Sequence, residues 1–90
     1  MIQVMGSEVR TEILRSLHAR GESSTGEIAD AVGASESAAL RHLKELEGLG
    51  LVTGHRRRGV GRAGVRIAWT LNPARVEEVA GQWAQYVLHR

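Results

Sequence analysis

The stretch from Ser24 to Leu51, STGEIADAVGASESAALRHLKELEGLGL, constrains the fold more than any other part of the chain. Ser24 and Glu27 have the S-x-x-E spacing of a capping box, which predicts that a helix begins there. Gly33 then allows a sharp turn, because glycine adopts backbone conformations that other residues avoid. Ser35 is suited to cap a second helix. The stretch therefore predicts a helix, a tight turn and a second helix.

The second helix, expected from Ser35 to about Gly48, has two different faces. Helical spacing places Ala39, Leu43 and Leu46 on the face that packs. The opposite face carries Ser37, Leu40, Arg41 and Lys44. A short helix, a glycine turn and a longer helix with a polar, basic outer face form a helix-turn-helix, whose second helix can enter a DNA major groove.

Charge is distributed unevenly along the chain. The segment Gly48–Val76, called here the basic segment, contains six arginines and no acidic residue, although the net charge of the chain is only +2. The remaining residues therefore carry −4. A basic patch on an otherwise acidic small protein favours a polyanionic partner such as nucleic acid.

The flanking residues predict three further elements. A first helix should run from Glu8 to Arg20, with Ser7 as its N-cap and Gly21 as its stop. Glu22 and Ser23 would link this helix to the helix-turn-helix. The apolar residues of the first helix would cover the helix-turn-helix; they are Val9, Ile13, Leu14 and Leu17.

A β-hairpin should follow the helix-turn-helix. Leu51 and Val52 begin one strand, and Val65–Leu71 alternates apolar and polar residues as a half-buried strand does. The tip between them, Gly59–Gly64, includes a G-x-G, but no strand-to-helix context supports a nucleotide loop there.

Asn72 and Pro73 mark the start of a final helix, as N-cap and first helical residue. Its apolar stripe is broad enough to need a packing partner, either the first helix or a second subunit. We expect this stripe to form a dimer interface; its residues are Val76, Val79, Ala80, Trp83, Tyr86 and Val87. The whole chain, residues 1–90, thus predicts one mainly α domain with a small β-hairpin (α+β) in the order α-α-α-β-β-α.

Several classes of protein are disfavoured. The chain has no cysteine, which excludes disulfides, thiolate metal sites and cysteine nucleophiles. No run is long enough to span a membrane, and the start lacks the features of a signal peptide, so we expect a cytoplasmic protein. No catalytic set of residues is present, and His55 is interpreted as a solvated histidine near the arginines, so the chain is not expected to be an enzyme.

The segments EVRTEILRSL, TGEIADAVGASESAALRHLKELEGLGLV and RIAWTLNP resemble the winged helix-turn-helix regulators of the ArsR type, from about Glu8 to Val87. The resemblance implies a transcriptional regulator that binds double-stranded DNA, commonly a homodimeric repressor on a palindromic operator. It also implies a prokaryotic, nucleoid-associated protein. No cofactor and no membrane partner are expected.

The candidate DNA-binding residues come from the helix-turn-helix and from the hairpin, or wing. Arg41 can contact guanine O6 and N7, Lys44 suits the backbone, and the wing arginines would reach phosphates or the minor groove. Ser24 and Thr25, at a helix start, could contact a phosphate. The full set is Ser24, Thr25, Ser35, Glu36, Ser37, Leu40, Arg41, His42, Lys44, Arg56, Arg57, Arg58, Arg62 and Arg66.

Two features depart from the family pattern. Leu40 stands where the family usually has a small polar residue, and Glu36 can accept from cytosine N4 but would repel phosphate. The chain also lacks the cysteine pairs, or the terminal-helix Asp and His sets, of the family's metal sensors, so we expect no metal site. Two alternatives remain open: a protein- or RNA-interaction module, and a DNA-binding component of a phage or plasmid replication or partition system.

Overall fold

The computed structural model describes residues 8–58 and 65–89. The predicted cap Ser7 and the hairpin tip with Arg62 lie outside the described residues, and Arg57 and Arg58 are described by their backbone alone. The elements in chain order are α1 (Glu8–Arg20), β1 (Ser23–Ser24), α2 (Thr25–Val32), α3 (Glu36–Gly48), β2 (Val52–Arg58), β3 (Val65–Leu71) and α4 (Pro73–Leu88).

This order confirms the predicted winged helix-turn-helix, with one addition. Ser23 and Ser24, expected as part of a link and a cap, form the short strand β1, which pairs antiparallel with β3 (Ser23 opposite Trp69). The sheet has the order β1-β3-β2. A two-residue strand has no periodicity of its own, so its pairing becomes apparent only when β3 lies beside it.

The core lies where α1, α2 and α3 cover the sheet. The predicted packing face of α3 is confirmed, since Ala39, Leu43 and Leu46 are fully buried. In α1, by contrast, the expectation that Val9 helps to close the core is wrong, because its side chain is 38% exposed. The central cluster consists of Ile13, Leu17, Ile28, Leu43, Leu46, Leu51, Val52, Trp69 and Val79.

The largest side chain in this core is Trp69, which is 1% exposed. It lies in the central strand, directly opposite Gly54 of β2. A Cβ atom on Gly54 would be 2.9 Å from Cζ3 of the indole ring and 3.2 Å from Oε2 of Glu47. The Gly54 N–H also donates a hydrogen bond of 3.0 Å to that same Glu47 oxygen. Gly54 is therefore needed for close approach of the backbone to the ring.

The predicted start of α4 is confirmed. Asn72 is the N-cap, its Oδ1 accepting from the Arg75 N–H, and Pro73 is the first helical residue. Asn72 Nδ2 also donates to the Gly50 carbonyl, and Arg75 Nε donates to the Leu49 carbonyl. These contacts join the start of α4 to the end of α3.

We predict that Gly54→Ala lowers the free energy of unfolding by about 1–3 kcal/mol, because the added methyl group overlaps the Trp69 ring. Gly81→Ala is the matched control: a Cβ at Gly81, inside α4, would meet no atom within 4 Å. It should raise that free energy by roughly 0.5–1 kcal/mol. Urea unfolding of both variants measures these changes, and a Gly54→Ala protein as stable as wild type would contradict the packing described here.

Candidate nucleic-acid interface

Three elements meet at one concave surface on the outside of the helix-turn-helix. The start of α2, the first turns of α3 and the outer half of β3 enclose a cavity volume of about 610 Å³. We call this the concave surface; it is lined by Ser24, Thr25, Gly26, Glu36, Ser37, Leu40, Arg66 and Ile67.

The start of α2 is held by the predicted capping box. Ser24 Oγ accepts from the Glu27 N–H at 3.1 Å, and Glu27 Oε1 accepts from the Ser24 N–H at 2.9 Å. The hydrogen bond from the Ser24 N–H to the carboxylate lowers the pKa of Glu27, and the Ser24 side chain and the charge of Arg20 lower it further. Capping thus accounts for the contacts of Ser24 with Glu27.

Thr25 connects this helix start to the sheet. Its Oγ1 accepts a hydrogen bond of 2.9 Å from Nε1 of the buried Trp69. The contact fixes the position of β3 relative to α2, and therefore the distance across the concave surface.

The outer face of α3 is organised by its own cap. Ser35 is the N-cap, with Oγ accepting from the Ala38 N–H at 3.1 Å. Ser37, Arg41 and Lys44 are exposed, as predicted from their helical spacing. Leu40 is half-buried and packs against the core while also lining the concave surface.

His42 faces α1 rather than the concave surface. Its Nδ1 accepts from Arg10 Nε at 3.4 Å. Arg10 also forms an ion pair with Glu45, which lies on the next turn of α3. Burial lowers the pKa of His42, and the charges of Arg10 and Arg41 lower it further. These contacts orient α3 on α1.

The arginines of the basic segment have different environments. Arg56 and Arg66 are exposed, and Arg66 lines the concave surface. Arg57 lies directly opposite Arg66 in the β2–β3 register, so the hairpin places two basic positions side by side. Arg75, by contrast, donates to the Leu49 carbonyl and pairs with Glu78, which gives it a structural role at the end of α3.

Sequence analysis missed Gly26 and Ile67 as lining residues. Gly26 lies inside the predicted helix-turn-helix, and Ile67 follows the alternation of β3, so both had been interpreted by their secondary structure alone. Within residues 8–58 and 65–89, no cluster of three His, Asp or Glu side chains is arranged to hold a metal ion. No helix in this part of the chain is long and apolar enough to cross a membrane.

The model of a helix-turn-helix domain family matches residues 5–55, more than half of the chain. The chain belongs to this helix-turn-helix family, of the ArsR type. Membership identifies it as a DNA-binding regulator rather than an enzyme.

Solved structures of similar fold agree with the family. A possible transcriptional regulator for arsenical resistance is 25% identical, with 93% of this chain and 80% of that chain covered and a TM-score of 0.75. NolR from Sinorhizobium fredii is 28% identical, with 94% of this chain and 78% of that chain covered and a TM-score of 0.68. The Zα domain of Carassius auratus PKZ, solved in complex with Z-DNA, is 23% identical, with 72% of this chain and 94% of that chain covered and a TM-score of 0.63. No curated protein matches the chain.

In this helix-turn-helix protein the apolar stripe of α4 is divided between the core and the surface. Val79 is buried in the core of its own chain, and Val76 and Ala80 are half-buried. Trp83 is 38%, Tyr86 51% and Val87 52% exposed. The second half of the predicted dimer stripe therefore has apolar surface that its own chain leaves exposed.

We predict that folding stability decreases as the pH falls below about 6.5, because His42 has a lowered pKa in the folded regulator and the unfolded chain binds the proton more readily. The decrease should grow until the pH reaches the folded pKa of His42. Glu27 contributes separately: its lowered pKa gives stability that is lost only as the pH falls below about 4.5.

His42→Asn is the test, since the Asn side chain is able to accept from Arg10 but does not titrate. Urea unfolding near pH 7.5 and near pH 5.5 should show a smaller pH-dependent loss in the variant than in wild type. The pH-independent cost of the substitution cancels in this comparison. An equal loss in both proteins would contradict the assignment to His42.

Proposed function

We propose that this regulator is a sequence-specific, homodimeric transcriptional repressor that inserts α3 into the DNA major groove. The β2–β3 wing contacts the adjacent backbone or minor groove. Two copies related by a two-fold axis present their α3 helices to the half-sites of a palindromic operator. We place the protein in the prokaryotic cytoplasm, on the nucleoid, because its proposed target is duplex DNA.

The observation that carries this proposal is that separate segments of the chain meet at the concave surface. Six of its eight lining residues, contributed by α2, α3, β3 and the cap before α2, are among those that the sequence had indicated for DNA binding. The exposed side chains of Ser37, Arg41 and Lys44 continue this surface along α3. The arrangement places a basic helix face beside a basic strand, which suits a duplex with its phosphates on both sides of a groove.

Each side chain has a role that its chemistry allows. Arg41 donates to guanine O6 and N7 as a bidentate pair, and Ser37 donates to or accepts from a base edge or phosphate. Lys44, farther along α3, contacts the backbone as a point charge. Arg66 and Arg56 contact phosphates from the wing, where their charge raises affinity for any sequence.

The exposed half of the α4 stripe supports the homodimer. Trp83, Tyr86 and Val87 together offer large apolar side chains at one end of a small domain. Aromatic residues are enriched at the centres of protein interfaces. Dimerisation also doubles the number of bases contacted, which a single small domain needs for specificity.

We predict that Arg41→Ala weakens operator binding by about 1–3 kcal/mol and relaxes the preference for one guanine. Arg66→Ala should instead weaken binding of all sequences alike and reduce the salt slope by about 1. Arg15→Ala is the control, because Arg15 is exposed on α1, where it pairs with Glu12, and its loss changes the net charge equally.

Selection from random duplexes, followed by titration across a salt series, measures these effects. A left-handed duplex is included because the similar Zα domain was solved with Z-DNA. Unchanged operator binding by both Arg41→Ala and Arg66→Ala would refute the proposed DNA face. Weak binding without sequence preference would favour the protein- or RNA-interaction module.

We predict that Val87→Glu raises the dimer dissociation constant at least ~10-fold, because a carboxylate is costly to bury in an apolar interface. Gln85→Glu adds the same charge at an exposed position two residues away and serves as the control. Sedimentation over a range of concentrations measures both. A wild-type protein that stays monomeric throughout would refute the dimer.

A further inference from the structure

Glu36 occupies an unusual place for an acidic residue in a DNA-binding surface. It is the first residue of α3, directly after the cap Ser35, and it lines the concave surface. Residues at the start of a recognition helix are the ones that approach base edges. A negative charge there also interacts favourably with the α3 dipole, which is the structural role that any acidic residue would have.

The position of the Glu36 carboxylate is defined by its distance from Gly26. Its Oε1 lies 3.7 Å from the position that a Cβ atom on Gly26 would occupy, and its Cδ lies 3.9 Å from it. The Glu36 carboxylate therefore lies next to Gly26, in the first turn of α2. It lies at the concave surface, which Glu36 and Gly26 both line.

Glu36 has no ion-pair partner among the described residues. Within the same part of the chain, Arg66, which lines the concave surface from β3, forms no ion pair either. A carboxylate and a guanidinium thus share one cavity without pairing with each other. Each is available to a ligand that carries both a hydrogen-bond donor and an anionic group.

A nucleotide within duplex DNA is such a ligand. Its phosphate suits Arg66, whereas a carboxylate repels phosphate and accepts only from donors. In the major groove, cytosine presents the N4 amino group as its hydrogen-bonding group, and Glu is a natural acceptor for it. Adenine presents a donor and an acceptor side by side, which an amide satisfies better than a carboxylate.

We propose that Glu36 is a specificity-determining residue that selects cytosine at one position of each half-site. It accepts from cytosine N4, and its charge weakens binding to duplexes that offer no donor there. Arg66 holds a phosphate on the opposite side of the concave surface. This inference rests on the proposed DNA-binding function and adds a particular base and a particular side chain to it.

The test compares Glu36→Gln and Glu36→Ala with wild type by selection from random duplexes. Wild type should enrich cytosine at one position, with about 10-fold discrimination against other bases. Glu36→Gln should move that preference to adenine, because an amide pairs with adenine N6 and N7. Glu36→Ala should lose the preference at that position alone. A purely structural role for Glu36 would not change one base preference into another.

Glu77→Gln is the matched control, since Glu77 is exposed on α4 and outside the concave surface. It changes the net charge equally but should leave every base preference intact. Both Glu36 variants should bind a scrambled duplex more tightly than this control does, because phosphate repulsion is removed.

The two proposals fail in different ways. A wild-type protein that enriches no sequence overturns the proposed function, and with it this inference. A wild-type motif that Glu36→Gln and Glu36→Ala both retain at every position overturns the role of Glu36 alone. Thermal unfolding of each variant checks that changes in binding do not arise from unfolding.

Discussion

The architecture depends on the burial of the Trp69 ring between the sheet and the helix-turn-helix. Trp69 belongs to the central strand β3, where it lies opposite Ser23 of β1 on one side and Gly54 of β2 on the other. Its Nε1 donates to Thr25 Oγ1 at the start of α2. A buried indole N–H without an acceptor costs about 1–3 kcal/mol, so this hydrogen bond selects one orientation of the ring. The same contact sets the position of the wing relative to α2.

The orientation of α3 is set by polar contacts at several points along its length. Near its middle, Arg10 of α1 contacts both His42 and Glu45. At its end, Glu47 accepts from the Gly54 N–H, and Arg75 donates to the Leu49 carbonyl. Apolar packing alone would allow a helix to rotate or slide, because dispersion contacts have little directionality. Hydrogen bonds restrict that freedom, and the exposed side of α3 therefore has a defined direction.

The charges of the chain divide into structural and available groups. Arg10 and Arg75 hold elements together, whereas Arg66 and Arg56 are exposed on the wing. Glu36 lines the concave surface together with Arg66, and neither forms an ion pair among the described residues. Attraction that is equal for all phosphates gives affinity, while a hydrogen bond to a base edge gives specificity. A carboxylate beside Arg66 thus reduces the first and can add to the second.

The sequence by itself determined the features that arise within a few residues of each other. The Ser24–Glu27 capping box, the Ser35 cap and the Asn72–Pro73 helix start all appear as predicted, because capping bonds span one helical turn. The strand Val65–Leu71 also forms, but its burial does not alternate as predicted, since Ala68 and Thr70 are half-buried like Ile67 and Leu71. The tertiary structure alone decided the pairing of β1 with β3, the hydrogen bond from Trp69 to Thr25 across 44 residues, and the meeting of Glu36 with Gly26 and Arg66 at one surface. Such contacts depend on how the helices pack on the sheet, and local sequence patterns carry no record of that packing.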